Sequence, residues 1–352
     1  MSSGARVYTA AVIGVGRAGS GGAKGGGHQI GYTHAAMYRR AGRVDLAAAA
    51  DISEENLAAF QEKFAARRAF SDYRQMLEQV RPAVVSICTY VGLHREMIEA
   101  CASAGVKAVI CEKPFVASPA DLTAVRALAE RSGLRIALCH IRRYLPAMQR
   151  AVELFHGGAV GRPTLCFASL DGWDLSEMGS HWFDLFRFFN GDAAPLWVMG
   201  QARVTNQRGF GHAMEDHAVA VFEFANGCRG VLEAGRPHPG GFNILLAGSD
   251  GTIRILEENT LSVDSCDGRR VELFADHPGS GWEAMWDHLL QDVLSWLDTG
   301  REPMTGLGNI SPSVELNLGA YISAVRGDRV DLPLQDDTSE WPVEILARRA
   351  GG

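Results

Sequence analysis

From residue 6 to about 140, short apolar or β-branched runs alternate with longer segments whose apolar residues recur every three to four positions. That rhythm predicts βαβ units wound around a parallel sheet. The predicted strands are 6–14, 44–51, 83–89, 107–112 and 135–140, with helices near 29–41, 54–66, 72–80, 94–104 and 118–132. Ser118, Pro119 and Asp121 supply an N-cap, a first-turn proline and an acidic third position for the last of these helices. Beyond about residue 145 the rhythm changes to a helix (144–156), a strand (162–170), a helix (179–190) and then strands at short spacing. "HAVAVFEF" (217–224) and its neighbours alternate as an antiparallel sheet with one wet face does, with Asn226-Gly227, Asp250-Gly251 and Asp267-Gly268 as hairpin corners. Helices near 281–298 and 311–325 then precede "VDLPL" (330–334). The expected fold is an α/β domain with a doubly wound parallel sheet over 1–142. An α+β domain with a large, mostly antiparallel, open-faced sheet is expected over 143–352, with a late helix returning to the first domain.

Composition narrows this picture by exclusion. With 352 residues, 47% hydrophobic and 21% charged, the chain suits two globular domains. A net charge of −7 with acids and bases interspersed offers nothing to nucleic acid or to an anionic membrane. The seven cysteines are scattered without a C-x-x-C pair, which argues against a disulfide framework and a thiolate zinc site. No charge-free apolar run reaches the roughly 18 residues of a membrane span, and the N-terminus lacks a secretory h-region, so a cytoplasmic location is expected.

Candidate chemistry begins in "AVIGVGRAGSGGAKGGGHQIGYTHAAMY" (10–37). A strand ending in G-x-G before a helix aims backbone N–H groups and the positive helix end at a pyrophosphate. Gly14 and Gly16 fill those positions, and Gly19 or Gly31 is the glycine that lets helix and strand pack closely. A run as glycine-rich as "AGSGGAKGGG" cannot be helical, because each glycine costs about 0.8–1 kcal/mol there. The helix therefore starts near Gln29, Gly31 is the packing glycine, and residues 17–28 are an insertion. That insertion is either a flap over the cofactor phosphates, with Lys24 as counter-charge and His28 near the helix start, or a plain surface loop. Asp51 ends the second strand, where a carboxylate accepts the adenosine ribose hydroxyls and repels a 2′-phosphate, so NAD is expected over NADP.

"VICEKPF" (109–115) puts Glu112, Lys113 and Pro114 at the C-terminal edge of a parallel strand, where open α/β sheets bind ligands. The proline keeps the preceding backbone extended. In "LSEMGSHWFDLFRFFNGD" (175–192), Glu177, His181 and Asp184 fall at i, i+4 and i+7, on one face if the segment is helical throughout. With Asp51, "HIRRYLPA" (140–147), "EDHAVAVFEFANG" (215–227) and "GREPMTG" (300–306), these stretches resemble the Gfo/Idh/MocA family over nearly the whole chain.

The resemblance implies a Rossmann domain and hydride transfer between nicotinamide and a hydroxyl of a sugar, sugar derivative or cyclitol, with Lys113 and His181 flanking the reacting oxygen. His181 suits the base and Lys113 the group that stabilises the developing alkoxide. Glu177, where the family commonly has aspartate, or Asp184 would orient His181. Thr89, His94, Glu112 and Lys113 are implied on the cofactor side, although "TYVGLH" (89–94) has Tyr90 where the family usually has proline. His140, Arg143, Tyr144, Asp184 and the platform Trp173 are substrate candidates beside Lys113 and His181. "NQRGFGHAMED" (206–216) reads as a substrate or subunit-contact loop. No metal is implied, since no His/Asp/Glu cluster has ligand spacing. Relatives pair their open sheets across subunits, which implies a dimer or a dimer of dimers. Two other readings keep the same motifs: a glycosidase or epimerase that recycles its hydride on NAD, and a sugar-sensing regulator without catalysis.

Overall fold

The computed structural model describes residues 6–16, 29–235 and 243–350; the insertion with Gly19, Lys24 and His28 lies outside the described residues. The N-terminal part runs β1 (Tyr8–Ile13), α1 (Ile30–Arg40), β2 (Val44–Ala50), α2 (Glu54–Phe64), β3 (Arg68–Phe70), α3 (Tyr73–Val80), β4 (Val84–Ile87), α4 (His94–Ser103), β5 (Ala108–Cys111), α5 (Pro119–Ser132) and β6 (Arg135–Leu138). Its parallel strands order 3-2-1-4-5-6, which places the topological switch between β1 and β4. Strands β4 and β5 are buried at every position, as a sheet covered on both faces requires. Local chemistry sets the helix starts: Ser118 Oγ accepts from Asp121 N at 3.2 Å ahead of α5, and Ser53 Oγ from Asn56 N at 3.3 Å ahead of α2.

The second part runs α6 (Pro146–His156), β7 (Pro163–Leu170), α7 (Gly179–Phe189), β8 (Pro195–Gly209), β9 (His212–Phe224), β10 (Arg229–Ala234), β11 (Asn243–Gly248), β12 (Gly251–Leu256), β13 (Thr260–Ser265) and β14 (Gly268–Leu273). It closes with α8 (Trp282–Thr299), α9 (Leu307–Arg326), β15 (Val330–Asp331) and α10 (Pro342–Ala350). Among the described residues the sheet has nine strands in the order 14-13-12-11-7-10-9-8-15, antiparallel except where β10 runs parallel to β7. Leu307, Ile310, Val314 and Leu318 of α9 pack into the apolar cluster of the first sheet, so this helix joins the two parts.

The segment 206–216 differs from its predicted role as a loop. It continues β8 and β9 into a long hairpin whose corner is Phe210-Gly211, both at positive φ (50° and 84°). Helix α7 starts only at Gly179, so Glu177 does not share its face with His181 and Asp184. Helix α9 begins at Gly306–Leu307, a turn before the predicted start, with Pro312 inside it.

Candidate active site

Gly14 and Gly16 turn the chain after β1 at φ of +82° and +68°. A Cβ on Gly31 would lie 2.6 Å from Gly14 O, and one on Gly14 would lie 2.8 Å from Thr89 Cγ2, so neither position has room for a side chain. Asp51 Oδ2 accepts from Val15 N (2.9 Å) and Gly16 N (3.0 Å), and its Oδ1 from Ser53 N (2.9 Å), which fixes the carboxylate beside the turn. An open groove lies here, lined by Gly14, Gly16, Asp51, Asn56, Thr89 and Leu93. Bare backbone, a helix start and an acid at the second strand's end fit a dinucleotide without a 2′-phosphate.

Thr89 and Tyr90 also line a second, narrow cleft walled by Lys113, Pro114, Glu177 and Phe210. Lys113 leaves the end of β5 through a cis Lys113–Pro114 bond. Its ammonium donates to the main-chain carbonyl of Glu177 at 2.9 Å and to Glu177 Oε2 at 3.3 Å. Burial alone would raise Glu177, but Lys113 and His212 outweigh it and hold the carboxyl below its ordinary range. The expectation that Glu177 orients His181 is therefore corrected: lying before α7, it holds Lys113 on one side and His212 on the other (Oε1 to Nε2, 3.1 Å).

His181 sits in the first turn of α7 with a buried Nδ1 that has no hydrogen-bond partner among the described residues. Burial, then the charges of Arg142 and Lys113, push it well below the ordinary imidazole value, so it is neutral at pH 7. His140 lies edge-on to it at 5.4 Å, with Nδ1 4.0 Å from Asp184 Oδ2. Burial, Arg143 and Lys113 keep His140 low against the pull of Asp184. Lys113 thus bears electrostatically on both histidines, although it comes from the first sheet and His181 from the second part.

Other predicted residues are spent elsewhere. Arg143 is fully buried and forks onto Asp184 (2.7 and 2.8 Å) and Asp192 (2.8 and 3.1 Å), so neither Arg143 nor Asp184 is free for substrate. Asp184 also accepts from Ser313 Oγ at 3.0 Å and serves Arg143 rather than His181. Tyr144 donates to Asp292 at 2.8 Å. His94 is buried between the carbonyls of Phe115 and Thr89, both at 3.0 Å, and shapes the loop rather than lining the groove. Glu112 turns inward, with Oε1 3.1 Å from His34 Nε2 and Oε2 accepting from Lys113 N at 3.2 Å. Trp173 is 38% exposed on the turn after β7.

Two groupings were missed from the sequence. His34, Glu112 and Cys139 bring three buried donor atoms within 4.8 Å of one another, from α1 and the ends of β5 and β6. His34 bridges Ser86 (2.8 Å) and Glu112, and burial keeps the Cys139 thiol well above its ordinary value. The other grouping, Asp174, Glu177, His212 and Glu215, lies behind Lys113. Asp174 is pushed up to about 8 by burial and by Glu215 and Glu177, and its Oδ2 is buried without a partner among the described residues.

A 3-2-1-4-5-6 sheet with a glycine turn at its switch point, leading into a cleft where a half-buried lysine pairs with a buried glutamate, defines a dinucleotide-dependent oxidoreductase. The chain belongs to the Gfo/Idh/MocA family. The model for the oxidoreductase family with NAD-binding Rossmann fold matches residues 9–140, and that for the GFO/IDH/MocA C-terminal domain matches 148–254. The chain is 27% identical over 328 residues to a D-apiose dehydrogenase of Paraburkholderia graminis, covering 85% of this chain and 86% of that one. It is 26% identical over 241 residues to a myo-inositol 2-dehydrogenase of Thermotoga maritima, covering 64% and 72%. The fold matches an oxidoreductase from Agrobacterium radiobacter, crystallised with NAD+, L-tartaric acid and magnesium, at a TM-score of 0.76 and 22% identity over 92% of this chain and 98% of that one. This protein is an NAD-dependent dehydrogenase. No helix among the described residues is long and apolar enough to cross a membrane.

Proposed function

We propose that the enzyme interconverts a secondary hydroxyl and a ketone on a sugar, sugar derivative or cyclitol, with Lys113 and His181 at the reacting oxygen. The observation that carries this is the Lys113 ammonium, held by Glu177 at the cleft that Thr89 and Tyr90 join to the cofactor groove, with its charge reaching a buried neutral His181. When bound across Gly14, Gly16 and Asp51, NAD supplies the hydride acceptor for alcohol oxidation. The remaining chemistry falls to the side chains. His181, kept neutral, takes the hydroxyl proton on a ring nitrogen. Lys113 donates a charge-assisted hydrogen bond to the oxygen as negative charge grows there, and Glu177 keeps the ammonium from swinging away. The names of the apiose and inositol relatives favour polyol substrates.

A panel of sugars and cyclitols with NAD, followed by absorbance of NADH, tests this reading. NADH growth with at least one member is the expected result. Product formed without NADH would move the assignment to the recycled-hydride reading, and no turnover with any member would leave the sensor reading.

We also infer assembly through the open sheet face. Leu245, Phe167, Val231, Val221 and Met199 are register partners in one row across β11, β7, β10, β9 and β8, an apolar stripe in which Phe167 and Met199 are 37% and 51% exposed.

A further inference from the structure

Resting on the reading of Lys113 as the cation at the reacting oxygen, we propose that His212 is a positioning residue that fixes the lysine through Glu177. His212 opens β9 at the hairpin corner, is fully buried, and has both ring nitrogens engaged: Nδ1 with Ala213 O at 2.7 Å and Nε2 with Glu177 Oε1 at 3.1 Å. Both partners are acceptors and one is a charged carboxylate, so only the doubly protonated ring donates to both. His94 makes the contrast. It meets two neutral carbonyls, and burial keeps it below the ordinary imidazole value, whereas at His212 the Glu177 and Ala213 bonds overcome burial and raise it. The acidic groups bearing on the His212 ring are Glu177 and Asp174 from the segment before α7, Glu215 from β9 and Glu344 from α10.

The chain's last helix holds this histidine in place. Ala213 N donates to Glu344 Oε1 at 2.9 Å, Arg208 pairs with the same carboxylate at 2.8 Å, and the Trp341 ring lies 4.2 Å from the His212 ring centre. The line Trp341 and Glu344, hairpin corner, His212, Glu177, Lys113 therefore ties the aim of the ammonium to packing at the far end of the sequence. It also accounts for the glutamate. A glutamate has one more rotatable bond than aspartate, and a second anchor on Oε1 removes the freedom that bond would bring.

The test is a double-mutant cycle on the full chain, with a spectroscopic readout that does not depend on turnover. His212→Gln keeps a donor but loses the charge, and is expected to lower kcat about tenfold with the NAD dissociation constant unchanged. Because His212 acts through Glu177, the Glu177→Gln/His212→Gln double variant should turn over no more slowly than Glu177→Gln alone. Losses that multiply, or an H212Q enzyme with unaltered kcat, would overturn the proposal. Independently, nitrogen NMR of ring-labelled histidine at pH 7 should show one buried ring protonated on both nitrogens in the wild type, returning to the neutral form in E177Q. Only neutral buried rings in the wild type would overturn it as well. If no sugar or cyclitol is oxidised by the wild type, the functional reading fails while the NMR result still decides the relay.

Discussion

Residues in this site are defined by what surrounds their charge. Glu177 and Asp174 are both carboxylates buried within three positions of each other, yet Glu177 stands between two cations and stays ionised, while Asp174 meets burial and two other acids and holds its proton to about 8. Asp174 Oδ1 accepts from Glu177 N at 2.7 Å, so the neutral acid still anchors the backbone that carries Glu177. A carboxyl whose folded value is raised stabilises the fold below the unfolded value of about 3.9 and loses that contribution as pH rises to its folded value. The wild-type Tm should therefore fall between pH 5 and 8 more steeply than that of Asp174→Asn, which keeps the accepting oxygen without the ionisation. Parallel Tm curves for the two proteins across that range would remove Asp174 from the account.

Elements place these residues, and the contact between the glycine turn and α1 leaves little tolerance. With a Cβ at position 31 only 2.6 Å from Gly14 O and 2.9 Å from Val15 Cα, Gly31→Ala must push the helix from the turn. Its NAD dissociation constant should rise about tenfold or more by calorimetry, about 1.4 kcal/mol or above, and an unchanged value would show that the turn is not the phosphate cradle. The parallel sheet was legible because its signals are local: apolar runs, Ser118-Pro119 caps, and glycines and an E-K-P run at strand ends. Strand β3, at three residues, is too short to show a period. Ser311-Pro312 looks like a helix start but lies a turn inside α9, where Ser311 Oγ bonds back to Leu307 O at 2.6 Å. The polar run 206–216 masked the end of a hairpin. The spacing of Glu177, His181 and Asp184 puts them on one face only of a helix that spans all three, and the helix begins after Glu177. Lys113 and His181 are each identifiable by motif. The His212 and His34 groupings join positions tens to more than a hundred residues apart, and no local pattern announces them.

Across the whole molecule, two sheets with different duties meet at one cleft, the first presenting Thr89, Tyr90 and Lys113, the second bringing the hairpin corner at Phe210, with Glu177 just ahead of α7. Helices cover one face of the nine-stranded sheet, and the apolar row through Phe167 on the other is the face we infer to pair with a second copy. Light scattering should give a mass that is a multiple of 38.0 kDa, reduced to the single-chain value by Phe167→Asp. A wild-type monomer at micromolar concentration would contradict that assembly. The cation from one sheet and the neutral base from the other part are proposed to act on a single alcohol, and turnover of Lys113→Ala is the decisive test. With the best substrate from the panel, kcat should fall by about 10² or more, the scale of losing one positioned catalytic group, while the NAD dissociation constant stays within about twofold of wild type. Near-normal turnover in that variant would contradict the account.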